Sequence, residues 1–191
     1  MKRRSLTARG LFIAGFAMAL LLSFGCGGGS DTGGPIPPAL LCSDGGTAGV
    51  NTVAMRCGGL IDATTERVDI VIGGPESGTA SLRGLIFDVT YDPAKLEFVG
   101  ATSPANPLFP DGLVAVELAN GQQGEIVAAI LQVGTLPDVS VAPGEHQVIS
   151  FAFRRLGLDT FDPTPLTFVR AQATAAVPSV TFANGLALAY Q

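Results

Sequence analysis

Apolar and polar residues alternate in short runs along most of this chain, and turn-forming residues separate the runs. The clearest run places Leu85, Phe87, Val89 and Tyr91 at every second position. A period of two predicts β-strands that bury one face, and no segment after residue 45 sustains the 3.6-residue period of an amphipathic helix. The pattern predicts about nine strands. They cover residues 50–57, 67–73, 82–91, 96–102, 113–119, 125–133, 147–154, 166–173 and 180–189.

The turns between these runs support the same interpretation. Asn120-Gly121 lies between two apolar runs, and both residues tolerate the positive φ that a tight hairpin needs. Asn184-Gly185 interrupts the last run and predicts a bulge or a tight bend there. About nine short strands at this spacing predict an all-β sandwich in one domain.

The first residues predict a targeting signal. Lys2, Arg3 and Arg4 precede the uncharged run 11–24, which is shorter than the roughly 20 residues of a membrane-spanning helix. The run ends at Gly25-Cys26, which resembles the lipobox of bacterial lipoproteins, although Ser23 stands where Leu is usual. We therefore expect residues 1–25 to be a lipoprotein signal peptide and Cys26 to carry the lipid. A secretory signal cleaved nearby and an uncleaved anchor are the alternatives.

Residues 26–45 are rich in Gly and Pro, which predicts a flexible tether between the lipid and the domain. Gly27 rather than Asp follows Cys26, which by the sorting rule of some bacteria favours the outer membrane. The expected location is therefore the bacterial cell envelope, with secretion as the alternative. Loss of residues 1–25 would leave seven basic against sixteen acidic residues, a net charge of about −9.

Cysteine usage agrees with export. Besides Cys26 the chain has only Cys42 and Cys57, and an even pair outside the cytosol predicts a disulfide. The alternative is two reduced, buried thiols.

Several segments together resemble the cohesin domains. Residues 84–101 read GLIFDVTYDPAKLEFVGA, and their strand–turn–strand pattern is similar to the YDP..LEF signature of that family. Three later segments resemble later cohesin strands and occur in the same order as those strands. They read GEIVAAILQ, APGEHQVISFAFR and VTFANGLAL. The resemblance covers residues 46–191 and implies a nine-stranded jelly-roll β-sandwich without catalytic machinery.

The same resemblance implies a protein partner. Cohesins bind dockerin modules, whose EF-hand-like loops carry the calcium, so the resemblance implies no metal and no cofactor in this chain. It places the partner on one sheet, formed by the strands at 84–91, 113–118, 125–132 and 147–154. Many dockerin-binding cohesins have Asn and Asp where Gly84 and Ile86 stand here, so an apolar contact surface is expected instead. The candidate partner-binding residues are Gly84, Ile86, Asp88, Thr90, Ala128, Ile130, Val148 and Ala152.

Composition and charge exclude several other functions. The net charge of −5 has the wrong sign for a nucleic-acid binder. The single histidine, His146, leaves no Ser-His-Asp set, and the scattered carboxylates do not suggest a glycosidase pair, so we expect no enzyme. Asp92 is interpreted as a turn residue, and the loop with Asp159 and Asp162 as a solvated turn rather than a cation site.

Two further functions remain open at this stage. A carbohydrate-binding module of related topology would stack sugar rings on exposed aromatic side chains, but the chain has no Trp and only two Tyr. A structural subunit of an envelope or secretion assembly is the other alternative. We expect a protein-binding module in a polysaccharide-related surface assembly.

Overall fold

A computed structural model describes residues 40–157 and 161–190 of the 191-residue chain. The predicted signal, Cys26 and residues 158–160 with Asp159 lie outside the described residues. No helix in the described parts is long and apolar enough to cross a membrane. The thirteen strands are β1 (Leu40–Ser43), β2 (Thr52–Asp62), β3 (Thr65–Gly73), β4 (Ala80–Leu82), β5 (Gly84–Thr90), β6 (Leu96–Thr102), β7 (Leu113–Leu118), β8 (Glu125–Leu131), β9 (Val139–Val141), β10 (Glu145–Arg155), β11 (Phe161–Thr174), β12 (Thr181–Ala183) and β13 (Leu186–Tyr190).

The strands form two main sheets and a small ribbon. One sheet has six strands in the order β1-β13-β11-β5-β8-β7, and the other has five in the order β12-β2-β3-β10-β6. β4 and β9 pair separately. The described pairings are antiparallel except for β12 with β2. All nine predicted strands are present, although two of them are each divided into two shorter strands.

Aromatic side chains fill the space between the two sheets. Phe87 of β5 is fully buried, and its ring centroid lies 5.4 Å from that of Phe168 and 6.3 Å from those of Phe151 and Phe182. The inward positions of β5 predicted from the alternation are all in this core. Each sheet therefore buries one of its faces in the core between the two sheets.

The predicted bend at Asn184-Gly185 moves the chain from one sheet to the other. β12, before the bend, pairs with β2 in the five-stranded sheet, and β13, after it, pairs with β11 in the six-stranded sheet. The side chain of Asn184 accepts a hydrogen bond of 2.7 Å from the backbone N–H of Phe168, which fixes the crossing.

The folded domain begins earlier than the sequence suggested. β1 pairs with β13 from Leu40 onwards, and Leu40 is buried. The tether therefore cannot extend to residue 45, because residues 40–43 are a strand of the six-stranded sheet. The sequence signal was weak, since a four-residue strand at a sheet edge is too short to show a period.

A disulfide joins the first strands of the two sheets. Cys42 of β1 and Cys57 of β2 are bonded, with their Cα atoms 5.7 Å apart. Replacing both by Ala should lower the free energy of unfolding by about 3 kcal/mol, because the bond closes a loop of about 15 residues in the unfolded chain. Chemical denaturation of the variant and of the oxidised chain measures the difference. An unchanged unfolding midpoint would contradict this role.

Glu66 supports the turn between β2 and β3 from a buried position. Its carboxylate accepts a 2.9 Å hydrogen bond from the backbone N–H of Gly59, and burial raises the pKa of Glu66 above its usual value of 4.5. The folded state therefore binds the proton more tightly than the unfolded state, so ionised Glu66 opposes folding at neutral pH.

Glu66→Gln should keep the acceptor and remove the buried charge. We expect the variant to be more stable than the wild type at pH 7, and the difference to disappear as the pH falls through the raised pKa towards 4.5. Unfolding midpoints at pH 7 and pH 4 measure the effect. Glu76→Gln, at an exposed loop position, is the matched control and should change neither midpoint. A difference for Glu66→Gln that persisted at pH 4 would argue against this origin.

Candidate functional site

The predicted partner face consists of strands that the structure only partly brings together. β5, β8 and β7 are adjacent in the six-stranded sheet. β10 pairs with β3 and β6 in the opposite sheet, so its inclusion in the partner face was wrong. The neighbour of β5 on its other side is β11. We define the outer face as the solvent-side surface of β11, β5, β8 and β7.

Three of the candidate residues on β5 have side chains on the outer face. Ile86 is 38% exposed, Asp88 is nearly covered, and Thr90 is half-buried. Gly84 is at the same side of the strand but is buried, because the side chain of Leu131 lies across it. A Cβ at Gly84 would overlap Leu131 and lie 2.8 Å from the carbonyl oxygen of Ile130. Gly84 therefore lets β8 approach closely and offers no contact group of its own.

The remaining four candidate residues do not contribute to this face. Ala128 and Ile130 of β8 are buried in the core at 0% and 1% exposure, so their predicted orientation was inverted. Val148 is also buried, because a register shift between Gln147 and Ile149 turns it inward. Ala152 does point away from the core, but it does so on the five-stranded sheet.

The correct side of β8 forms the centre of an apolar surface. Ala129 lies opposite Ile86 on one side and opposite Ala115 of β7 on the other. In the same way, Leu131 lies between Gly84 of β5 and Leu113 of β7. The side chain of Leu113 is 52% exposed. We call this surface the apolar band. Its residues are Ile86, Leu113, Ala115, Val127, Ala129 and Leu131.

A charged cluster with one residue each from β5, β8 and β11 borders the apolar band. The guanidinium of Arg170 forms an ion pair with the carboxylate of Asp88 and, at 3.1 Å, with that of Glu125. The hydrogen bond to Asp88 and the negative charge of Asp88 raise the pKa of Arg170 above its usual value, and Glu125 adds to this effect. Arg170 thus covers the nearly buried Asp88 while its own side chain remains 73% exposed. A partner would meet a cation held in a fixed position.

Two concavities of the described domain lie outside the apolar band. One, of about 260 Å³, lies between the edge strands β6 and β7 and contains no titratable side chain. The other, of about 270 Å³, lies beside the turn at Asp92, whose carboxylate accepts a 2.9 Å hydrogen bond from the N–H of Ala94. Asp92 is therefore the turn residue that the sequence predicted. No residue of the apolar band lines either of these two concavities, and small-molecule sites are concave, so the band suits a macromolecule better than a small ligand.

His146 and Glu97 have local structural partners in the described part of the chain. His146 Nε2 lies 2.9 Å from the carbonyl oxygen of Ala142 at the start of β10. Glu97 forms an ion pair with Arg154 on the five-stranded sheet, away from Asp88. Within the described residues no group of three or more His, Cys, Asp or Glu side chains could hold a metal ion.

Solved structures share this arrangement of strands. The sixth cohesin of scaffoldin B from Acetivibrio cellulolyticus, in complex with a Cel5 dockerin mutant, matches with a TM-score of 0.53 at 14% identity, over 71% of this chain and 95% of that chain. The third cohesin of ScaC, in complex with a mutant ScaB dockerin from Acetivibrio cellulolyticus, has a TM-score of 0.51 at 13% identity, over 71% and 95%. The domain has a cohesin fold.

A third structure, the CaDoc0917–CaCohA2 complex, has a TM-score of 0.50 at 15% identity over 71% of this chain and 96% of that one. The cohesin fold confirms the all-β jelly-roll sandwich expected from the sequence. At the level of sequence, no protein-family model and no curated protein matches the chain.

Proposed function

We propose that this chain is a non-catalytic, lipid-anchored protein of the bacterial cell envelope whose cohesin-fold domain docks a protein partner on the outer face. The observation that carries the proposal is the apolar band beside the Arg170 cluster. Small side chains at Ala115 and Ala129 allow another backbone or helix to approach closely, and Arg170 can orient it by charge. The anchor would be the lipid on Cys26, in the outer membrane.

The proposed partner is a dockerin-like module that carries its own calcium. Two of the structurally similar cohesins were solved in complex with dockerins. This chain would then need no cofactor, and its assembly would serve polysaccharide-related chemistry at the cell surface. Direct glycan binding is less well supported, because none of the large hydrophobic side chains described as exposed is aromatic.

Calorimetric titration of the full chain with a panel of purified dockerin modules tests the proposal. We expect at least one module to bind in calcium and to lose binding in a chelator, because the partner's loops fold around calcium. Parallel titrations with soluble polysaccharides are the control. Binding to polysaccharide with no binding to any dockerin would contradict the proposal and favour a glycan module, and no binding in either titration would favour a structural subunit.

A further inference from the structure

β7 is an edge strand without the features that usually keep an edge from pairing with another chain. In the part of the chain that the structure describes, the two main sheets end at β1, β7, β12 and β6. β1 and β12 have only four and three residues, and a register shift interrupts the pairing of β6 with β10. β7 has six residues, contains neither Pro nor Lys, and pairs with β8 without a register shift. Short length, proline, lysine and bulges protect edges, and β7 has none of them.

The core-side residues of β7 are not fully covered at this edge. Val114 lies opposite Ile130 of β8, which is 1% exposed, whereas Val114 itself is 41% exposed. Val114 and Val116 line the cleft of about 260 Å³ between β7 and β6, together with Phe98 and Ile149. Among the described residues, backbone hydrogen bonds reach β7 only from β8. A further strand beside β7 would therefore complete a second ladder and cover apolar side chains.

The sequence of β7 is complementary to itself. Opposite residues of an antiparallel pair project to the same side, so core-side residues must meet core-side residues. One register that meets this condition places Ala115 opposite Ala115 of a second copy. Val114 then lies opposite Val116 on the core side, and on the outer side Leu113 lies opposite Glu117.

Charge favours this register over its neighbour. The two Glu117 carboxylates are four residues apart along the pair, about 14 Å, which exceeds the Debye length of about 8 Å at physiological ionic strength. The register with Val116 opposite Val116 also matches the two sides, but it brings the two carboxylates to within about 7 Å along the strand. A second copy of β7 therefore fits the edge without opposing like charges.

We propose that two copies of this chain pair through β7, antiparallel and with Ala115 on the twofold axis. The two six-stranded sheets then form one continuous sheet, and the apolar bands of the two copies become neighbours. Because both copies use the same edge, the interface is isologous and closes at two copies. The new strand pairs at the side of the sheet, so the outer face stays open. The inference does not depend on the proposed function.

Cysteine cross-linking of the full chain with a mild copper oxidant tests the register. Opposite residues of an antiparallel pair have Cα atoms about 4.5–5.5 Å apart, which a disulfide can span. We expect Ala115→Cys to give about five-fold more disulfide-linked dimer than the wild type, whose Cys26 supplies the background. Glu117→Cys is the matched control on the same strand and should stay at background, because its two thiols are too far apart. A mixture of Leu113→Cys and Glu117→Cys chains should cross-link.

Sedimentation equilibrium of the full chain in a density-matched detergent measures the strength of the dimer. Val114→Lys places a charge on the edge of β7 and should raise the dissociation constant about ten-fold or more. Val99→Lys is the matched control, since Val99 is 50% exposed on the edge strand β6. It should dimerise like the wild type. Circular dichroism checks that both variants fold, and the cross-linking result stands without them.

Each other outcome overturns the pairing. A chain that stays monomeric, with Ala115→Cys at background, has no dimer through β7. Equal cross-linking of Ala115→Cys and Glu117→Cys shows a different register or random collision. A dimer weakened by Val99→Lys and not by Val114→Lys pairs through β6. A monomeric chain whose Ala115→Cys thiol cross-links only to a bound dockerin assigns the edge to the protein partner instead.

Discussion

Ala129→Arg should weaken binding of the protein partner at least 100-fold, which corresponds to about 2.7 kcal/mol. Ala129 lies between Ile86 and Ala115 in the centre of the apolar band, where a long charged side chain would separate the partner from the face. The side chain points away from the core, so the domain should remain folded. Calorimetric titration with the bound dockerin gives the affinity, and denaturation gives the stability.

Ala152→Arg is the matched control for this prediction. Ala152 is half-buried like Ala129 and belongs to a strand of the same sandwich, but it faces solvent on the five-stranded sheet. The variant should bind the partner as tightly as the wild type. If Ala152→Arg lost affinity and Ala129→Arg did not, the partner would bind the opposite sheet.

Phe87→Ala should lower the free energy of unfolding by about 3–5 kcal/mol. Phe87 is fully buried, and the rings of Phe151, Phe168 and Phe182 surround it, so its removal leaves a cavity that these rings cannot fill without moving. For a domain of about 150 residues the loss corresponds to a melting temperature lower by about 10 °C. Thermal unfolding followed by circular dichroism measures it.

Ile86→Ala provides the comparison from the adjacent position on β5. Ile86 is 38% exposed on the outer face, so its truncation should cost less than about 1 kcal/mol of stability. It should instead reduce partner affinity, since Ile86 is part of the apolar band. Similar stability losses for the two variants would mean that the two sides of β5 are not divided into core and contact surface.

The sequence predicted β5 correctly because the two sides of this strand differ in polarity. Leu85, Phe87 and Val89 lie on one side of the strand. On the other side Gly84, Asp88 and Thr90 outnumber the one apolar residue, Ile86, so the period of two is clear. The turn at Asp92 and the hairpin before β8 were predictable for a related reason. Asp, Asn, Pro and Gly have specific backbone preferences that act locally.

The orientation of β8 could not be predicted from alternation. The strand reads EIVAAIL, and both of its sides are apolar because one faces the core and the other forms the apolar band. A shift of one residue exchanges the two sides, and this is the error made for Ala128 and Ile130. The one informative position was Glu125, whose charge places the odd-numbered residues of the strand outward.

The sheet to which β10 belongs is a property of the tertiary fold. Phe151 and Phe153 face the core, but a strand in either sheet would show the same alternation. Arg170 was missed for a similar reason, because its role depends on the pairing of β11 with β5 and on the register shift between Phe168 and Arg170. These long-range pairings bring residues together that are more than 70 positions apart in sequence.

Hydrogen–deuterium exchange of the full chain with and without its bound dockerin tests most directly whether the outer face is the docking surface. The account predicts slower exchange on binding in β5, β8 and β7, and unchanged exchange in β2, β3 and β10 of the opposite sheet. Slower exchange confined to β2, β3 and β10 would contradict it.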